Sequence, residues 1–217
     1  MKILFDVVII VLLFFLFGLS HTLLASKLLK EKVLLWCGDK IAFYRIAYNI
    51  ISLLCFYLFV VLSPKPDIII YDLNFPFDII IFILQILSLA GLLWAAKFVD
   101  WKEFIGVSQV YRWKNKQYSV TDLDEKSELK TDGPFMFSRH PIYLFSILFL
   151  GLRPTMSLFY LVTFICIVAY FYIGSVYEEK KLLVKYGDAY KNYQLTVPRF
   201  FSFGRILFKK YNRVEIN

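Results

Sequence analysis

Three groups of residues in this chain are equipped for chemistry: Arg139-His140-Pro141, the pair Glu178-Glu179, and Val197-Pro198-Arg199-Phe200. On local physics alone the first is an ordinary helix start. A proline at the first helical position costs no hydrogen bond, His140 stands where a helix cap would be, and Arg139 can extend to lipid headgroups. The glutamates sit where an apolar run ends. An unpaired carboxylate at that depth is costly and requires a cation, water or a ligand. A sulfonium or a sugar diol would suit it. Arg199 suits an anionic ligand group or the membrane surface. His21 lies within another apolar run, followed by Arg45 and Tyr48. Ionisable groups in such runs are functional candidates by default, although a neutral histidine bonded to a backbone carbonyl is equally stable. His21, Arg45 and Arg199 are therefore candidates for catalysis, with no role assigned by the sequence.

The elements that must position these groups are membrane helices. Of 217 residues, 59% are hydrophobic, above the usual 45–50%, and the mean hydropathy is +0.61. Several apolar runs reach the roughly 20 residues needed to span a bilayer. Spans are expected at about 3–25, 42–62 and 77–99. The first lacks a small-residue cleavage site and is longer than a signal-peptide core, so it reads as a retained span. Pro64 and Pro66 stop the second. The run from Pro141 to Tyr177 is too long for one span and is broken by Leu152-Arg153-Pro154-Thr155. It reads as a short helix at about 141–152 in a hairpin with a full span at about 155–177. The expected fold is all-α and polytopic, with about five transmembrane helices, the fourth of them short, and a cytoplasmic helical tail. Leu182, Leu183, Tyr186, Tyr190 and Tyr193 form a helical stripe in that tail. Residues 25–44 read as a polar loop, and 121–130 as a solvated loop or short helix. Two regions follow: 1–126, a transmembrane scaffold, and 127–217, which carries the polar Arg-His-Pro, Glu-Glu and Val-Pro-Arg-Phe groups and the tail.

Charge supplies orientation. Lys and Arg number four in 25–44, seven in 99–140 and nine in the tail, against one each at the N-terminus, in 63–76 and in 152–155. The positive-inside rule then puts the N-terminus outside and the C-terminus in the cytoplasm. The +8 net charge flanks spans and gives no reason to expect nucleic acid. Cys37, Cys55 and Cys166 show no paired spacing, so no disulfide framework or metal site is implied. There is no G-x-G-x-x-G, Walker loop, H-E-x-x-H or C-x-x-C, which argues against a soluble Rossmann methyltransferase or dehydrogenase.

The order G-P-F-x-x-x-R-H-P-I-Y, E-E about 35 residues on, G-x-x-Y-x-x-Y and V-P-R-F resembles the isoprenylcysteine carboxyl methyltransferase superfamily, which includes phospholipid methyltransferase-like members. The match covers about 127–200. In the N-terminal half, S-H-T-L-L-A-S-K, Tyr44-Arg45-x-x-Tyr48 and F-I-G-V-S-Q-V at 104–110, with the later P-T-M-S and Y-I-G-S-V-Y-E-E, look like the methanethiol S-methyltransferase branch. Parts of this half also resemble a nitrite/nitric-oxide accessory membrane family.

The resemblance implies an integral-membrane methyltransferase using S-adenosylmethionine in a bacterial inner membrane. Its acceptor would be a small molecule or lipophilic, with thiol S-methylation first and isoprenylcysteine-type carboxyl methylation next. Membrane lipid would be its surroundings. It further implies cofactor contacts at Leu129, Lys130, Phe135, His140, Pro141, Ile142, Tyr143, Glu178 and Glu179, with Tyr190 and Arg199 near the pocket and no metal. Three positions depart from the pattern. Phe145 stands where glycine is frequent, and is expected to narrow the route between cofactor and substrate. Met136 replaces a frequently basic residue, and Phe201-Ser202 replaces a proline. A sterol-reductase-like membrane enzyme using a nicotinamide cofactor shares an R-H-P-x-Y stretch and stands as one alternative, though Ile142 replaces its usual asparagine. A non-catalytic membrane accessory protein is the other.

Overall fold

The computed structural model describes residues 1–119 and 128–201. The chain forms α1 (Lys2–Ala25), α2 (Lys27–Cys37), α3 (Tyr44–Leu62), β1 (Ile69–Asp72), α4 (Phe77–Ala96), α5 (Trp101–Ile105), α6 (Val107–Lys114), α7 (Pro141–Gly151), β2 (Thr155–Ser157), α8 (Leu158–Tyr186) and α9 (Asp188–Thr196). Among the described residues, four helical stretches are long and apolar enough to cross a bilayer: α1, the continuous Lys27–Leu62 stretch containing α2 and α3, α4 and α8. Most of their large apolar side chains point outward, as at Leu53, Leu54 and Phe82. In water that surface would be prohibitive; in lipid it is the solvated face. The fold is an all-α, polytopic integral-membrane one, with a small sheet added.

Three differences from expectation have local causes. The 25–44 segment is not a loop but α2 and a 3₁₀ turn. Ser26 caps α2 by accepting from the Leu29 N–H at 3.3 Å, and Lys27 pairs with Glu31 one turn on. The two strands fall below what an apolar pattern reveals. β1 and β2 pair antiparallel, with Tyr71 opposite Met156 and Asp72 opposite Thr155, and the Thr155 hydroxyl donates to Asp72 at 2.6 Å. They join the α3–α4 and α7–α8 connections. The tyrosine stripe is split between two helices, because Gly187 separates α8 from α9. The expected 121–130 element lies mostly outside the described residues, as does the tail beyond 201.

α1, α3 and α8 pack around Ile10, Phe14 and Phe59. Phe14 and Phe59 meet edge to face at 5.4 Å, and Tyr170 of α8 joins Phe14 at 6.3 Å. α7 has 11 residues, about 16 Å at the α-helical rise, too short to cross alone. It lies along α4. The Phe145 ring occupies the space over Gly91, where a Cβ would come within 2.5 Å of its Cδ1. The Gln85 amide donates to the Phe149 carbonyl at 3.0 Å. Phe145 is therefore spent on helix packing, and the expectation that it narrows a substrate route is corrected. A ring on one helix is seated in a notch on the other.

α5 and α6 fold over the start of α3. Asp100 caps α5 by accepting from the N–H groups of Lys102 and Glu103 at 3.0 and 3.1 Å. Gly106 joins the two helices at φ 106°, and a Cβ there would strike the Ile46 backbone at 3.0 Å. The buried Glu103 accepts from Gln109 at 2.9 Å and pairs with Arg112.

Enlarging Gly91 tests the α4–α7 notch. Gly91→Leu should lose about 1–3 kcal/mol, as overpacking does, seen as a lower melting midpoint in detergent. Adding Phe145→Ala should recover part of that loss. An unchanged midpoint for the single variant would show that the ring has another place to go.

Candidate active site

The site is built around the start of α7. Pro141 sets the first turn, and His140 occupies the cap position without making a side-chain cap bond. Its Nε2 instead lies 3.1 Å from Glu179 Oε1 and its Nδ1 3.5 Å from Glu178 Oε2. Arg139 does not reach toward headgroups. It turns inward, its Nε donating to Glu179 Oε1 at 3.0 Å and its Nη2 to Oε2 at 3.1 Å. Its Nη1 donates to the carbonyls of Gln194 and Val197 at 3.1 and 2.7 Å. Arg199 approaches the same carboxylate, with Nε at 3.1 Å from Oε1 and Nη2 at 2.9 Å from Oε2. Gln194 donates to Oε2 at 3.0 Å.

Glu179 is 3% exposed, and its oxygens are taken up by donors from this chain. A buried carboxylate is tolerable only with such pairing. The hydrogen bonds to Glu179 hold the Arg199 pKa above its ordinary value. Backbone contacts complete the clasp. The Arg139 N–H donates to the Pro198 carbonyl at 2.9 Å and the His140 N–H to that of Arg199 at 3.1 Å, while the Ser138 hydroxyl donates to Arg199 at 2.9 Å. α9 is pinned by Tyr190, Tyr193 and Val197, packed on Leu129, Phe135, Leu182 and Tyr186. The Tyr193 hydroxyl donates to the Phe135 carbonyl at 2.6 Å. Burial pushes the Tyr190 and Tyr193 phenols up, so both are neutral at ordinary pH.

Glu178 has a different environment. Its side chain is 48% exposed and accepts from the Tyr143 hydroxyl at 3.2 Å. Tyr143 stacks on His140 at 5.3 Å and 12° and on Phe171 at 4.7 Å and 8°, which fixes the direction of its hydroxyl.

These groups face a cavity of about 930 Å³. Leu129, Lys130, Phe135, His140, Pro141, Ile142, Tyr143 and Glu178 line it, as do His21 and Arg45 from the N-terminal half. Glu179 and Arg199 do not; they stand behind the wall and hold it. The Lys130 ammonium is tied to the Phe98 carbonyl. Tyr48, a candidate from the sequence, lines one end as well, and the structure adds Asn49 and Phe104 beside it and Tyr170, Phe171 and Gly174 along α8. The α8 residues had a signal in the sequence. Phe171, Gly174 and Glu178 are spaced i, i+3, i+7, one helical face. Asn49 had none, and although Phe104 opens the 104–110 segment, its approach to the cavity depends on α5 folding over α3. There Asn49 Nδ2 donates to the Phe104 and Ile105 carbonyls at 3.1 and 3.0 Å, and Arg45 Nε to Phe104 at 3.0 Å. Among the described residues no group of His, Cys, Asp and Glu is arranged to hold a metal ion.

Residues 81–189 match the family model described as phospholipid methyltransferase. Over 102 residues the chain is 28% identical to the methanethiol S-methyltransferase of Crocosphaera subtropica, covering 46% of this chain and 38% of that protein. The aligned stretch thus spans well under half of that relative's length. No solved structure matches the chain.

Glu179→Gln should leave two guanidinium groups facing a neutral amide, and removing one member of a buried ion pair costs about 3–5 kcal/mol. The expected result is a lowered melting midpoint in detergent, with earlier proteolysis after Tyr186 as α9 detaches. A variant that melts like the parent would contradict the clasp.

Proposed function

This integral-membrane chain belongs to the phospholipid methyltransferase family; we propose that it is a methyltransferase whose cavity binds S-adenosylmethionine at the α7–α8 end and a small thiol at the α1–α3 end. The observation that carries this reading is the continuity of one cavity from Glu178 and Tyr143 to His21 and Tyr48. Its volume is near the upper end of the roughly 300–1,000 Å³ typical of small-molecule sites, room for a nucleoside-sized donor beside a compact acceptor.

The residues present fit the donor. Glu178 is a half-exposed carboxylate on the cavity wall, suited to a cationic ligand group. Leu129, Phe135 and Ile142 offer apolar surface for a nucleobase. Among the described residues the Tyr190 hydroxyl is buried without a hydrogen-bond partner, although Tyr190 lines the cavity. A ligand rich in hydroxyl and carboxylate groups would satisfy it. When bound, the sulfonium donor supplies an electrophilic methyl group, so the protein's work is orientation and exclusion of water. Tyr143, stacked and hydrogen-bonded, orients Glu178. Glu179, with its arginines, would act as the anchor of that wall rather than as a ligand.

The relative's activity on methanethiol favours a thiol acceptor. An isoprenylcysteine-type carboxylate is the second reading, favoured by Arg45 at the acceptor end, which suits an anion. In the proposed membrane setting α7 completes a fifth crossing together with the residues before it. The cavity would open to the cytoplasm and the N-terminus would lie outside, in accord with the basic residues of 99–140 and the tail.

Calorimetry on the detergent-purified protein tests the donor site. The parent should bind S-adenosylmethionine. Glu178→Gln should weaken binding about 10-fold or more, the scale of a charge-assisted hydrogen bond, with the melting midpoint of the free protein unchanged. No heat of binding with the parent would overturn the reading.

A further inference from the structure

Resting on the proposed methyl transfer to a thiol, we infer that Tyr48, His21 and Ser52 form a proton relay in which Tyr48 meets the acceptor and His21 takes the proton.

The three residues are placed by two helices. Tyr48 and Ser52 are one turn apart on α3 and present their hydroxyls to the same side. His21, near the end of α1, lies between them. Its Nδ1 is 2.9 Å from the Ser52 hydroxyl and its Nε2 2.7 Å from the Tyr48 hydroxyl. Both ring nitrogens are thus engaged by neutral groups, and among the described residues no carboxylate is hydrogen-bonded to the ring. In the tautomer whose Nδ1–H donates to Ser52, Nε2 is left as the acceptor of the Tyr48 hydroxyl, and the Ser52 contact is what selects that tautomer for the relay. Ser52 is buried, whereas Tyr48 and His21 line the cavity.

The groups facing His21 favour a transient proton. From α3 come Tyr48, Ser52 and Arg45, whose guanidinium lies 5.7 Å from the Tyr48 ring centroid. From α8 comes Tyr170, its ring 6.1 Å from His21 and its hydroxyl 3.2 Å from Thr22 Oγ1. On the α5 side the Glu103 carboxylate is directed to Gln109 and Arg112. The Arg45 cation beside the relay keeps the added proton a transient one and favours an anionic acceptor. A static hinge between α1 and α3 would need neither an exposure to the cavity nor a cation at its mouth.

The step balances as follows. The acceptor sulfur gives its proton to the Tyr48 oxygen as Tyr48 passes its own to Nε2 of His21. The thiolate electron pair forms the new S–C bond to the methyl carbon. The donor's S–CH₃ bond breaks with its electron pair remaining on the donor sulfur, which becomes a neutral thioether. His21 later releases the proton to water. A thiol needs this help because the thiolate is the nucleophile.

The test uses the full chain in detergent, methyl-labelled S-adenosylmethionine, and two acceptors, ethanethiol and the more acidic thiophenol. Tyr48→Phe and His21→Gln should each slow transfer to ethanethiol about 100-fold at neutral pH, within the range for a lost general base. The deficit should be far smaller with thiophenol, and should narrow for ethanethiol as pH rises, because solution then supplies the thiolate. Calorimetric affinity for S-adenosylmethionine should match the parent, which also reports that each variant is folded. Equal deficits with both thiols at every pH, or no deficit, would overturn the relay. A parent that binds the donor but methylates neither thiol would overturn the relay and the thiol reading while leaving the donor site standing. A parent that does not bind the donor would overturn the proposed function itself.

Discussion

The buried carboxylate of Glu179 is the constraint on which the α7–α8 wall of the cavity depends. A single carboxylate at 3% exposure is unsustainable without partners in a low-dielectric setting. Its partners come from three places in the sequence: Arg139 and His140 before α7, Gln194 on α9, and Arg199 beyond it. Satisfying one charge therefore draws the far end of the described chain back onto the start of α7. Once there, the main chain at Arg139 and His140 pairs with that at Pro198 and Arg199, and Tyr190 and Tyr193 close over Phe135.

That clasp separates two adjacent and chemically identical residues. Successive positions on a helix point about 100° apart. Glu179 faces the clasp, and Glu178 faces the cavity with Tyr143 as its donor. The length of α8 makes this possible. Its 29 residues run to about 43 Å, beyond the roughly 30 Å of a bilayer core, so its last turns emerge with the glutamates. The opposite wall is assembled differently. α1 and α3 meet through aromatic packing and the Tyr48–His21–Ser52 contacts, and α5 is laid over them by backbone acceptors.

The spans were legible in the sequence because an apolar run of membrane length has few alternatives. The Arg-His-Pro, Glu-Glu and Val-Pro-Arg-Phe segments were legible as a set, and the structure brings all three to one place. Their division of labour was not. Nothing in the order Glu178-Glu179 tells which faces a pair of arginines forty and twenty residues away. Phe145 misled for the same reason, since its seat is a glycine on a different helix. α2 was hidden by its lysines, which break an apolar pattern without breaking a helix. The strands at 69–72 and 155–157 are too short for alternation to register.

In the proposed function one cavity holds the methyl donor against the Glu178 wall with its reactive sulfur turned toward Tyr48. An experimental structure with S-adenosylhomocysteine bound tests it most directly. The ligand's amino-acid and nucleoside parts should lie among Glu178, Tyr190 and Phe135, with the sulfur on the side facing Tyr48 and His21. A ligand bound elsewhere, or one whose sulfur is walled off from Tyr48, would contradict it.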